Sequence, residues 1–292
     1  MFIRIHHSLR YTYDRPVFFE PTTVRLTPRQ DPTQRLIEHS IRITPTPDGQ
    51  TWTIEHDGTS ARVLWFSGKH DALHIETETV VQTLRDNPFD ALITHAPAAI
   101  LPASYLPDTA GALAPHLIPP TDPALLEWAD SIAEQSQRQT LPFLTNLTDW
   151  IHANCHMIMR EDGDPFTPAQ TLAERAGACR DVADLFIAAC RAQGLAARFV
   201  SGYSIHSPPE TTEQELHAWA EVYLPGAGWR GYDPSLGLAT ADGHIPIATA
   251  PTHHLAAPTT GSYRGTGASA TMHYDIDITS ADMLAGLESS RP

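Results

Sequence analysis

Cys179 sits where a helix should begin. In RAGACRDVADLFIAACRAQG, residues 175–194, apolar positions Val182, Leu185, Phe186, Ala189 and Cys190 recur at three- and four-residue steps. Gly194 follows as a natural residue just past the helix end. The pattern predicts an amphipathic helix with Cys179 in its first turn, where unpaired N–H groups and the positive end of the dipole favour an anion. A thiol placed there leans toward thiolate, its nucleophilic form. Cys190 falls on the apolar stripe and reads as core, as does Cys155 in an earlier helical pattern. Asp181 reads as support for the helix N-terminus rather than as a reacting group.

A nucleophilic thiol needs a base within hydrogen-bond reach, and the base needs a third group to orient it. The sixteen histidines make abundance uninformative, so position must decide. In ELHAWAEVYLPGAGWRGYDPSLG, His217 opens one strand, PGAG turns, and Asp233 ends the next strand before Pro234. A hairpin would bring His217 and Asp233 together at its open end. Counting with a four-residue loop, Pro225 to Gly228, sets Asp233 opposite Ala220. That is three residues from His217, roughly 10 Å along a strand, and an odd displacement puts the two side chains on opposite faces. Contact on that count requires a bulge or a longer, asymmetric loop; one is expected between Tyr223 and Gly231, and a regular hairpin there would rule out the triad as drawn.

GACRD, HAWAEVYLPGAGW and GYDPS resemble, in order and spacing, the three motifs of the transglutaminase-like superfamily of papain-fold thiol enzymes. YTYDRPVFFEPTTVRLTPR looks like the start of the β domain that precedes this core in bacterial members, so the resemblance spans nearly the whole chain. It implies Cys179 as nucleophile, His217 as general base and acid, and Asp233 as the residue that orients His217. Arg180 stands where these proteins often have Gln, a departure outside the three motif residues. The implied activity is acyl transfer or hydrolysis at an amide of a peptide or protein, through a thioester and without a cofactor. Hydrolysis is favoured over protein-glutamine transamidation, because nothing in the sequence marks an amine-acceptor site. A non-catalytic scaffold that keeps the fold is the rival from another class.

The remaining candidates are weaker. HANCH places His152 and His156 one helical turn apart, but Ala153 stands where a zinc protease would carry glutamate. No metal site is read there, nor at His253-His254. For the oxyanion, the Cys179 backbone N–H is the best donor available. Trp150 and Gln170 are considered as a second donor only because each has a side-chain N–H.

These residues need elements to hold them, and the pattern supplies an α+β chain in two parts. Residues 1–90 give six short β-branched or alternating runs with turn signals between them, an antiparallel sandwich-like domain. Residues 91–120 are rich in Pro and Ala and read as an ordered connector, with a lid over the cleft as one use for it. Residues 121–292 give helical patterns at 123–135 and 144–157, then the cysteine helix, then strands including ATMHYDIDIT, a papain-like core.

A formal charge of −15 argues against nucleic acid or an anionic membrane as partner. Three cysteines are too few, and odd in number, for a disulfide framework. MFIRIHHSLRY lacks the apolar segment of a secretion signal, and no run approaches a membrane span, so a reducing cytoplasm is the expected compartment. Oligomeric state is not readable.

Overall fold

The computed structural model describes residues 1–160, 165–206 and 215–280. Six strands come first: β1 (Phe2–Phe19), β2 (Thr22–Val24), β3 (Gln34–Thr44), β4 (Gly49–Ile54), β5 (Ser60–Trp65) and β6 (His70–Thr83). A middle section follows with α1 (Pro107–Ala112), α2 (Pro123–Gln135), α3 (Thr140–Asn154), β7 (His156–Met157), α4 (Pro168–Glu174), β8 (Ala176–Gly177) and α5 (Cys179–Ala192). Strands then resume as β9 (Ala197–Ser204), β10 (His217–Leu224), β11 (Gly228–Asp233), β12 (Leu238–Ala239) and β13 (His244–Ala250). The described chain ends with β14 (Thr259–Thr260), β15 (Tyr263–Arg264) and β16 (Ala270–Ser280).

Alternation in the first run becomes the two faces of β1. Ile3, Ile5, His7 and Leu9 are buried, while Phe2, Arg4 and Arg10 are exposed. Two antiparallel sheets result, one ordered β15-β1-β6-β3 with β16 also on β1, the other β14-β2-β5-β4. Ile3, Ile5, Leu73 and Ile75 from the first join Val24 and Leu64 from the second in the apolar core.

The second unit is a five-stranded antiparallel sheet, β12-β11-β10-β9-β13, with α5 packed against β10 and β9. Val182, Leu185, Phe186, Ala189 and Cys190 are all buried on α5, as the stripe predicts. The helical pattern at 123–135 coincides with α2, whereas the one at 144–157 is displaced, since α3 starts at Thr140 and stops at Asn154. Every residue of β9 is buried. On the side of the N-terminal unit, His7 Nδ1 meets the Tyr203 hydroxyl at 2.9 Å, and the Gln34 amide donates to the Pro246 carbonyl at 3.1 Å.

Two expectations about organisation change. β16, the ATMHYDIDIT run, pairs antiparallel with β1 from Ile3↔Ser280 to Tyr13↔Ala270, so it completes the first sheet rather than the core that precedes it. Alternation identifies a strand but carries no information on its partner, which is set by the whole fold. Residues 281–292 of the expected second domain lie outside the described residues.

The connector also runs elsewhere than over the cleft. Thr94 N–H donates to Pro225 O at 2.8 Å, and the Tyr105 hydroxyl donates to Tyr223 O and accepts from Ala196 N–H, both at 2.9 Å. These contacts lie at the closed end of the β10–β11 hairpin and beyond the C-terminal end of α5, away from Cys179.

Candidate active site

Local chemistry fixes Cys179 at the start of α5. The Asp181 carboxylate reaches back to accept the Ala178 N–H at 2.8 Å, which caps one orphan donor of the first turn. The same carboxylate is fully buried, accepts from Arg160 at 2.8 and 3.0 Å and from Phe166 N–H at 2.9 Å, and so pins the segment before α4 to the helix start. Gly177 is required by close packing, because a Cβ there would stand 2.8 Å from the Asp181 Cβ. Arg180, the departure from Gln, donates to Arg160 O at 2.9 Å.

His217 and Asp233 meet through a regular ladder, and the expected bulge is not formed. Leu224 pairs with Gly228, Tyr223 with Trp229 and Ala220 with Tyr232, without a register shift. The loop has three residues, one fewer than the four counted from sequence. Pro225 and Gly226 form a turn closed by Ala227 N–H to Leu224 O at 2.9 Å, with Gly226 at φ +91° as the second central residue of a type II turn requires. Gly228, at φ +72°, then begins the return strand early. Carried past the last pair, Ala220–Tyr232, this register sets Asp233 beside Trp219 after one step and Ser235 beside His217 after three. Asp233 and His217 thus become diagonal neighbours on one face. One residue of loop length changes both distance and face.

The resulting contacts are short. His217 Nε2–H donates to Asp233 Oδ2 at 2.6 Å, and Cys179 lies close enough to the His217 ring to favour its protonated form. Since Nε2 faces the carboxylate, Nδ1 is the nitrogen left for the thiol. Asp233 is fully buried, while the His217 side chain keeps 17% exposure. Burial by itself would depress the His217 pKa, but the adjacent Asp233 charge and hydrogen bond outweigh it and hold the value at about 10. Asp233 is pulled the other way: burial opposes its charge, but the His217 charge and the ring donors keep it far below the usual carboxylate range.

Asp233 has further partners that the sequence reading did not find. Its Oδ1 accepts from Ser235 Oγ–H at 2.6 Å, Ser235 N–H at 3.0 Å and Leu236 N–H at 3.2 Å. Asp-Pro-Ser is a signature for such an Asx turn, so Ser235 was open to detection. A second histidine, His244 of β13, sends its Nε2–H to Oδ2 at 2.9 Å. Nothing local in GHIPIATA distinguishes it among sixteen histidines. The donor atoms of His217, Asp233 and His244 lie within 4.8 Å of one another, a set able to hold a transition metal. As they stand, both rings spend their Nε2–H on the same carboxylate oxygen.

Other candidates are placed away from Cys179 or engaged elsewhere. Cys155 and Cys190 are buried, and burial pushes both thiols up. His152 Nδ1 donates to Ser235 O at 3.0 Å, while His156 lies beyond the helix in β7. His253 pairs with Asp184 of α5 at 2.6 Å. Gln170 donates to Glu174 along α4 at 2.9 Å, and the Trp150 ring lies between Trp128 and the Arg175 guanidinium. Among the described residues no helix is long and apolar enough to cross a membrane.

Residues 3–82 match the bacterial transglutaminase-like N-terminal region, and residues 127–234, which include Cys179, His217 and Asp233, match the transglutaminase-like superfamily. The chain is 24% identical over 281 residues to an uncharacterized protein of Mycobacterium leprae, covering 94% of this chain and 96% of that one. An uncharacterized protein of Mycobacterium bovis is 28% identical over 254 residues, 80% of this chain and 78% of its own length. The crystal structure of a "Putative Cysteine Protease" from Cytophaga hutchinsonii superimposes with a TM-score of 0.69 at 23% identity, covering 97% of this chain and 92% of that one, and so shares the fold. The two matched regions, in the order found here, account for both units of the structure: the chain belongs to the transglutaminase-like superfamily, with the bacterial N-terminal region ahead of its core.

Proposed function

We propose that this protein is a thiol-dependent amide hydrolase of peptide or protein substrates, acting through Cys179, His217 and Asp233. The observation that carries the reading is the 2.6 Å contact between His217 Nε2 and the buried Asp233, with Cys179 close enough to the same ring to favour its protonated form. Asp233 favours the His217 cation and fixes its tautomer, and that cation in turn favours the Cys179 thiolate.

The steps follow from those charges. The thiolate attacks the amide carbonyl, forming the C–S bond, and the carbonyl oxygen becomes the oxyanion. The Cys179 backbone N–H, at the first position of α5, is the donor nearest to hand for it. His217 gives its Nδ1 proton to the amide nitrogen, the C–N bond breaks, and the amine leaves. The neutral ring then takes a proton from water, whose oxygen attacks the thioester. Collapse releases the acid and restores the thiolate–imidazolium pair. A primary amine in place of water would give transamidation.

Hydrolysis of fluorogenic peptides and release of ammonia from glutamine amides, each compared with Cys179→Ala, test the proposal. Loss of turnover in the variant supports it. Turnover unchanged in Cys179→Ala sinks the nucleophile assignment, and no turnover in wild type alongside an inert Cys179 leaves a scaffold. We place the protein in the cytoplasm, where a free thiol stays reduced; a tagged copy recovered outside the inner membrane would contradict that.

A further inference from the structure

Four of the five donors to Asp233 come from the β10–β11 hairpin or the turn that follows it, and the fifth does not. His244 opens β13, which lies across β9 from β10, so its bond to Oδ2 ties the open end of the hairpin to the far edge of the sheet. We propose that His244 is a positioning residue of this site: a neutral imidazole, protonated on Nε2, that holds the Asp233 carboxylate ionised and shares its Oδ2 with His217. The inference rests on the Cys179–His217–Asp233 reading above and extends it by one residue.

Donor counting is the first argument. Oδ1 is fixed by Ser235 and Leu236, both from the turn that follows Asp233 itself. Without His244, Oδ2 would have His217 alone, and the charge of a fully buried carboxylate would fall on that one bond. A second N–H at 2.9 Å disperses it. His217 is then left a better acid toward the leaving amine than a single-donor carboxylate would make it.

The neutral tautomer follows from what surrounds the ring. His244 is buried, and its Nδ1 has no hydrogen-bond partner among the described residues. A cation would place an unsatisfied N–H at that buried position. The groups that act electrostatically on the ring are Asp233 of β11, His217 of β10 and His206 after β9, whose centroid is 5.7 Å away. The Trp219 ring closes another side at 5.1 Å. With His217 carrying the charge, a second imidazolium in this space is opposed by burial, and burial is the largest effect on His244.

The test compares His244→Leu, which has no donor, with His244→Gln, whose amide can reach the Nε2 position. Iodoacetamide alkylation of Cys179 is followed from pH 4 to 11 by mass spectrometry, with thermal melts alongside. In wild type the alkaline transition marks loss of the His217 proton. We expect His244→Leu to move it upward by about one pH unit and His244→Gln to return it close to wild type. Superimposable profiles for wild type and His244→Leu, both folded, would overturn the proposal. Should His244→Leu not fold, long-range proton–nitrogen NMR of the wild type decides, with the His244→Gln spectrum assigning the signal. A ring protonated on Nε2 alone between pH 5 and 8 is expected, and one that is protonated on Nδ1 or titrates in that range refutes the inference. A different failure separates the underlying reading: if His217→Ala has the same profile as wild type, there is no Cys179–His217 pair for His244 to serve.

Discussion

His217 and Asp233 lie sixteen residues apart in sequence and 2.6 Å apart in space, joined across a diagonal of a hairpin whose ladder has no irregularity. The contact makes the His217 cation the favoured form in the folded protein up to a pH of about 10. A raised folded pKa contributes stability fully below the unfolded value near 6.5, and that contribution is lost as pH rises through about 10. On the proposed chemistry, Cys179 should react in mild acid. Iodoacetamide at pH 6 should label Cys179 while sparing Cys155 and Cys190, whose thiols burial pushes up. His217→Ala should slow that labelling by about 100-fold and Asp233→Asn by about tenfold. Equal rates at the three cysteines in wild type would contradict both the geometry and the proposed chemistry.

A second prediction concerns the seam between the two units. Glu221, four residues along β10 from His217, accepts from Arg29 of the N-terminal unit at 2.9 Å and from Arg198 of β9 at 2.7 Å, all three nearly buried. Burial opposes the Glu221 charge, but the two guanidinium groups hold its pKa at about 2. Its contribution is therefore present above about 4.5 and lost as pH falls toward 2. Glu221→Ala leaves two buried arginines without their shared carboxylate and should cost about 3–5 kcal/mol. Urea denaturation at pH 7 measures it, and a loss below about 1 kcal/mol would show that solvent replaces the pair.

Asp181 serves the fold rather than the chemistry, and substitution should separate the two. It caps α5 through Ala178 and anchors Arg160 and Phe166. Asp181→Ala strips three donors of one buried acceptor and is expected to cost about 3 kcal/mol or more. Asp181→Asn, which can still accept, should recover part of that loss. Labelling of Cys179 in the folded fraction should keep its dependence on His217. A variant with unchanged melting temperature would argue that the cap is dispensable.

His7 of β1, bonded to the Tyr203 hydroxyl of β9, supplies an acid-sensitive element. Burial first, and then the charge of His6, lowers its pKa to about 4. The folded value lies below the unfolded one, so the stability it lends is complete above about 6.5 and lost as pH falls toward 4. The full effect is about 3 kcal/mol. His39, also held at about 4 by burial, behaves in the same way. His7→Gln should therefore reduce, but not abolish, the slope of stability against pH between 6.5 and 4. An unaltered slope in chemical denaturation would remove His7 from the account.

Much of this was legible in the chain, for reasons that differ residue by residue. Cys179 could be placed because a helix stripe and its start are local patterns, and β1 through β6 because alternation is local too. The path from His217 to Asp233 was misjudged by one residue, since PGAG permits a four- or three-residue loop and only the backbone at Gly226 and Gly228 decides. His244 was invisible, because its partner lies three strands away in the sheet, and β16 was assigned to the wrong neighbour for the same reason. Long-range pairing leaves no mark on the residues between.

The β1–β16 ladder has one more consequence, for the order of events as the chain is made. Tyr13 and Ala270 are register partners at one end of it and Ile3 and Ser280 at the other, so every pair spans well over two hundred residues. On a ribosome the N-terminal strand emerges early and waits with one edge open until nearly the whole core has been translated. That open edge is the hazard against which edge strands are normally protected, and closing it is the slow, high-contact-order step. The last strand described is thus also a latch, and a chain stopped short of residue 270 would carry the core and its cysteine on a sheet left open to the first strand it meets.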